Sequence, residues 1–123
     1  MKRNMDIIRL LLLQLEGDDD AIEQLKNYSE KETAYNAALA VEAGLIEGEV
    51  LYTGVGKSEI LAVDMDRLSW QGHDFLDAAR DETLWKKAKQ TVMKPAASFT
   101  FDLVKEWLKA EVRSRFGFGN SGS

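Results

Sequence analysis

Three places in the chain carry residue types and spacings that could do chemistry. Gly56-Lys57-Ser58 has the ending of a phosphate-binding loop. That loop needs a glycine five positions before Gly56, where Leu51 stands, and a helix after it, where alternating residues predict a strand. The glycines therefore read as a hairpin turn. His73, the only histidine, has Asp74 and Asp77 beside it. Three polar groups on one exposed helix face form a solvated surface, and a chain with no cysteine and no second histidine lacks zinc ligands. No nucleophile elbow accompanies His73, so it reads as structural rather than as part of a triad. Asp18-Asp19-Asp20 lacks the downstream glutamate of a calcium loop and reads as a capping run. The expectation is a non-enzymatic protein without metal or cofactor.

The remaining candidates suit nucleic acid. Lys31, Tyr35 and Asn36 fall on the expected outward face of a third helix, and Lys57 stands at a hairpin tip. Asparagine can pair with adenine through two hydrogen bonds, and lysine can meet phosphate. Against them stand six glutamates on the same helix and hairpin: Glu30, Glu32, Glu42, Glu47, Glu49 and Glu59. Neutralisation of phosphates supplies most non-specific affinity, so this surface is poorly charged for DNA. A second set, Lys86, Lys87, Lys89 and Lys94, surrounds Trp85, while Lys105, Lys109, Arg113 and Arg115 surround Trp107. Those amphipathic helices suit core packing on one side and, on the other, either phosphate contact or the pairing of two copies.

The elements that must position these residues follow from periodicity and caps. Ile7, Ile8, Leu11, Leu12 and Leu15 predict a helix over 6–15. A short second helix reaches about Lys26, with Asp20 and Glu23 as an acidic capping box and Ile22 and Leu25 turned inward. Ser29-Glu30-Lys31-Glu32 is a better capping box and starts the third helix, which stops at Gly44. Val50 and Tyr52, then Ile60 and Ala62, alternate with polar neighbours, predicting a hairpin through Val50–Val63 that turns at residues 53–58. Ser69 caps a fourth helix reaching about Arg80. Asp81 caps a fifth, with Leu84, Trp85, Ala88 and Val92 on one face and Pro95 as its stop. Ser98 or Thr100 opens a sixth, striped by Phe101, Val104, Leu108 and Val112.

This order predicts an α+β fold, a winged helix-turn-helix of three helices and a β-hairpin wing with additional C-terminal helices. The expected domains are a core over 1–80, a helical extension over 81–116 and a flexible tail over 117–123.

Charge is unevenly spread. Residues 17–83 hold sixteen acidic and five basic side chains, a net −11, whereas residues 84–123 hold eight basic and three acidic, a net +5. An acidic body and a basic C-terminal region suggest two functional surfaces, or one that pairs with the other. The N-terminal apolar run is broken by Asp6 and Arg9, unlike a signal peptide. No stretch approaches the ~20 apolar residues of a membrane span. The expected location is the cytoplasm.

Two resemblances sharpen this. Asn36-Ala37-Ala38-Leu39-Ala40-Val41-Glu42-Ala43-Gly44-Leu45-Ile46 resembles the recognition-helix end of bacterial winged-helix repressors, with Asn36 in place of a histidine and Ala37 and Ala40 in place of leucines. Nearly the whole chain is similar to the family called domain of unknown function 2513. The similarity rests on Met1–Arg9, Glu42–Ile46, Thr83-Leu84-Trp85 and above all Trp70-Gln71-Gly72-His73-Asp74-Phe75-Leu76-Asp77-Ala78. It implies a bacterial or prophage-borne protein and no particular activity. Two functions follow as expectations. One is a DNA-associated regulator binding double-stranded DNA, with a homodimer formed through the C-terminal helices. The other is an interaction module whose acidic face meets a basic protein partner.

Overall fold

The computed structural model describes residues 1–93 and 99–116. Lys94, the stop expected at Pro95, and the tail Gly117–Ser123 lie outside them. Among the described residues the fold is α+β, with six helices and one antiparallel hairpin. The chain divides into two compact units, Met1–Leu76 and Asp77–Ser123.

In the first unit, α1 (Met5–Leu15) is the central element. Ile7, Ile8, Leu11 and Leu12 are completely or almost completely buried, each contributing about 1.5–3 kcal/mol relative to exposure. The Asn4 side chain accepts from the amides of Asp6 and Ile7 and so caps the helix. Gly17, at φ 94°, ends it: the amides of Gly17 and Asp18 fold back onto the carbonyls of Gln14 and Leu13.

That turn delivers Asp18, not Asp20, to the N-cap of α2 (Asp19–Leu25), where its carboxylate accepts from the Ala21 amide. Ala21 and Leu25 face inward, and Ile22, expected in the core, is 37% exposed.

Ser29 opens α3 (Glu30–Glu42) with a complete capping box: its hydroxyl accepts from the Glu32 amide, and the Glu32 carboxylate accepts from the Ser29 amide. The helix ends as its sequence demands. Gly44 adopts φ 77°, its amide bonds the Val41 carbonyl, and the Leu45 amide reaches Ala40. The left-handed residue costs glycine little, and Leu45 is buried behind it.

The strands run longer than alternation predicts, β1 over Ile46–Thr53 and β2 over Glu59–Leu68. Two irregularities of register, between Glu47 and Gly48 and between Leu51 and Tyr52, break the period and hide the strand ends from a pattern reading. The first needs its glycine, because a Cβ on Gly48 would lie 2.1 Å from the Asp64 carbonyl oxygen. Ile46/Leu68, Val50/Val63 and Tyr52/Ile60 pair on one face, and Glu47/Arg67, Glu49/Asp64 and Leu51/Ala62 on the other. The first face carries the more buried residues and packs on α3. A single 3₁₀ turn at Val55–Lys57 joins the strands.

A compact seam joins the end of α3 to α4 (Trp70–Ala79). The Ser69 hydroxyl donates to the Gly44 carbonyl and accepts from the Gly72 amide, while the Ser69 amide bonds the Leu45 carbonyl. Gly72 lies so close that a Cβ there would sit 2.0 Å from the Leu45 carbonyl oxygen.

In the second unit, α5 (Glu82–Gln90) and α6 (Phe101–Phe116) pack together, and Leu84, Trp85, Ala88, Val104 and Leu108 are buried. Val92, expected on the apolar face of α5, follows the helix end and is half-buried, whereas Met93 is buried. Asp81 caps α5 through the Leu84 amide at 2.9 Å, and the Thr100 hydroxyl accepts from the Leu103 amide to start α6.

Candidate functional site

The residues singled out on α3 separate into two groups. Asn36 does not face outward. It is 1% exposed, its Oδ1 accepts from the Asn4 amide at 2.7 Å, and its Nδ2 donates to the Glu32 carbonyl at 2.9 Å. Both ends of the amide are occupied by backbone. Asn36 ties α3 to the start of α1 and presents nothing to a base edge. Its phase carries the signal: it lies on the side of Ala37 and Ala40, both buried. The Asn4 partner, 32 residues away, is invisible to any local reading.

Lys31 is exposed and Tyr35 half-buried on the opposite side of α3. They share that side with Ala34, Ala38, Leu39 and Glu42, which stand at helical spacing. Across from them the hairpin contributes Tyr52, Ser58, Glu59, Ile60 and Leu61. Together these residues line an open groove of about 680 Å³. Its floor and walls are mostly apolar, and Tyr52 and Leu61 are 42% and 67% exposed within it. Glu30, Glu42 and Glu59 supply its carboxylates, against Lys31, and Met1 also borders it. Sequence reasoning named Lys31 and Tyr35 but missed the groove. Leu61, the residue at the second register shift, carried the available hint, since its apolar side chain falls on a position that strict alternation assigns to solvent. A smaller hollow of about 510 Å³ lies on the other side of α3, between α2 and β2, with Ile22 on its border.

Lys57 occupies the exposed hairpin tip in a left-handed conformation, φ 57°, beside Gly54 and Gly56 at φ 87° and 68°. Val55, next to it, is 96% exposed.

The basic cluster of the second unit is largely engaged in its own packing. Lys87 pairs with Glu111 at 3.1 Å and its ammonium lies 6.0 Å from the centroid of the Trp107 ring. Arg115 pairs with Asp81 at 3.0 Å. Lys89 is half-buried and also engaged, while Lys86 and Lys87 are exposed. The Leu84 amide, followed by the Arg115 guanidinium, holds the Asp81 carboxyl below its ordinary value.

His73 is half-exposed, with Nδ1 3.8 Å from a Glu16 carboxylate oxygen. Among the described residues, no group of three or more His, Asp or Glu side chains is placed to hold a metal ion, and no helix is long and apolar enough to cross a membrane.

The arrangement defines a small α+β protein with an open apolar groove between a helix and a hairpin. Within that class the chain belongs to the family described as "Hypothetical protein (DUF2513)", whose model matches residues 2–98. It is 32% identical over 111 residues to an "Uncharacterized protein" of Haemophilus influenzae, a match covering 86% of this chain and 91% of that one. No solved structure matches it.

Proposed function

We propose that the protein is a non-enzymatic interaction module of winged-helix type, and that it works through the groove between α3 and the hairpin. One observation carries this reading: the outward side of the third helix offers alanine, leucine and tyrosine beside glutamates, a surface chemistry suited to protein and poorly suited to phosphate. The winged-helix assignment rests on the order α1, α2, α3, hairpin and on the contact of both strands with α3. A random-peptide display selection on the full chain tests the function. Recovered peptides should be lost on a Tyr35→Ala/Leu61→Asp variant; a selection that yields no groove-dependent binder overturns the proposal.

A second reading retains DNA. Lys31 and Lys57 are both exposed, one on the third helix and one at the hairpin tip, as a winged-helix regulator would place them. Its homodimer would form through α5 and α6. Anisotropy of a labelled mixed-sequence duplex at low salt tests it: binding that falls steeply with salt and is lost in Lys31→Ala would establish this reading over the first.

A further inference from the structure

We infer that the groove beside α3 takes a basic amphipathic helix of a partner protein. The inference rests on the interaction reading above and assigns the chemistry of what binds.

Length comes first. The groove follows α3 from Glu30 to Glu42, 13 residues, or about 18 Å at the rise of an α-helix. A ligand helix of about three to four turns matches it. Depth comes second. Ala34 and Ala38 stand one turn apart on the floor, and their single methyl groups let a second helix approach to about 8 Å between axes, the near end of helix packing distances. Larger apolar residues border the groove: Leu39 on α3, and Ile60 and Leu61 on the hairpin. A floor of small residues between larger apolar walls is the shape that receives one stripe of a helix, with anchors at i, i+3 or i+4, and i+7.

Charge selects the occupant. Glu30 and Glu42 mark the two ends of the α3 stretch, and Glu59 stands on the hairpin side, so lysine or arginine flanking the apolar stripe would meet a carboxylate along the groove. The surrounding field has the same sign, because residues 1–76 hold fifteen acidic and seven basic side chains. Such a field draws a basic partner in and repels an acidic one. It also disfavours a second copy seated face to face on the same groove, which would set Glu30 and Glu42 against identical carboxylates.

The probe is a fluorescein-labelled designed peptide of about four helical turns, with leucine at i, i+4, i+7 and i+11 and lysine on its other faces. The control peptide keeps the leucines and replaces every lysine with glutamate. Anisotropy is read on the full chain at low and moderate salt. The lysine peptide should bind, more weakly as salt rises, and the glutamate peptide at least about tenfold more weakly. Leu61→Asp separates the groove from general attraction: it adds a negative charge, which by itself would strengthen lysine-peptide binding, yet it should weaken binding about tenfold by wetting the wall. Equal binding of the two peptides overturns the inference, as does no binding of the lysine peptide or binding undiminished by Leu61→Asp. A concentration-dependent dimer in sedimentation equilibrium that Leu61→Asp dissociates also overturns it, in favour of a second copy. If the lysine peptide fails while the display selection still yields groove-dependent binders, the charge assignment falls and the interaction reading stands.

Discussion

The two sides of α3 have opposite characters. On its inner side, Asn36, Ala37 and Ala40 are buried, and Asn36 is bonded at both ends of its amide. Just past its C-terminus, Gly44 is locked to Ser69, and Gly72 is pressed against Leu45. On its outer side, Lys31 and Glu42 are exposed and Tyr35 and Leu39 half-buried, facing a hairpin across an open groove. The difference teaches which residues the fold uses and which it leaves at the surface. The residues that look most distinctive in the sequence, Asn36 and the Ser69–Gly72 segment, serve the fold. The plain ones, alanines, a leucine and scattered glutamates, line the open groove.

Substitutions on the two sides should therefore separate stability from binding. The largest effect belongs to the seam. Gly72→Ala places a methyl where the Leu45 carbonyl oxygen already sits, 2.0 Å from the new Cβ. Because the obstacle is backbone, α4 or the end of α3 must move. The loss should be on the order of 3 kcal/mol or more, read as a fall in the denaturation midpoint. A midpoint unchanged from the parent protein would mean that α4 does not lie against Leu45 as described.

Next in size is Asn36→Ala, which leaves the Asn4 amide without its acceptor at the head of α1. An unsatisfied, part-buried donor costs about 1–3 kcal/mol. The same variant should bind groove peptides as the parent does, once compared at a temperature where both are folded. If Asn36→Ala instead abolished peptide or DNA binding at unchanged stability, the inner and outer sides would have to be exchanged.

Tyr35→Ala should do the reverse. Its side chain lines the groove, so stability should move by about 0.5 kcal/mol or less, while binding of the lysine peptide weakens several-fold. Equal stability loss in Tyr35→Ala and Asn36→Ala would erase the contrast between the two sides.

Local signals made much of this fold legible. Ser29 with Glu32, Gly44 with Leu45, Ser69 and Asp81 each satisfy or turn backbone within a few residues, so their types betray their roles. What stayed hidden depends on distant or displaced partners. The burial of Asn36 is set by Asn4, 32 residues earlier. Ile22 is exposed because Ala21 and Leu25, four residues apart, take the inward side of α2, a choice made by packing rather than by local pattern. The full strand lengths were masked by two register shifts that break the alternation. The groove was the least visible feature, because it is a property of spacing between α3 and the hairpin and not of any motif. The partners of the clustered lysines were equally hidden: Lys87 pairs with Glu111 and its ammonium lies over the Trp107 ring.

The smallest expected effect lies in the second unit and tests whether its charges act internally. The Asp81 carboxylate accepts from the Leu84 amide and pairs with Arg115, and both hold its pKa below the ordinary 3.8. A carboxyl whose folded pKa is depressed adds stability above its unfolded value and loses it as pH falls through the folded value. Asp81→Asn keeps an oxygen able to cap α5 and removes only the charge. The variant should therefore melt slightly below the parent at neutral pH. The gap should close on acidification through and below the usual carboxylate range, where the parent loses the same charge. High salt should narrow it as well, since the Asp81 and Arg115 side chains are 40% and 46% exposed. A melting gap that widened toward acid would show that Asp81 is not held ionised by Leu84 and Arg115. Arg115 would then be available to a partner, and the contrast between an open α3 groove and an internally paired second unit would weaken.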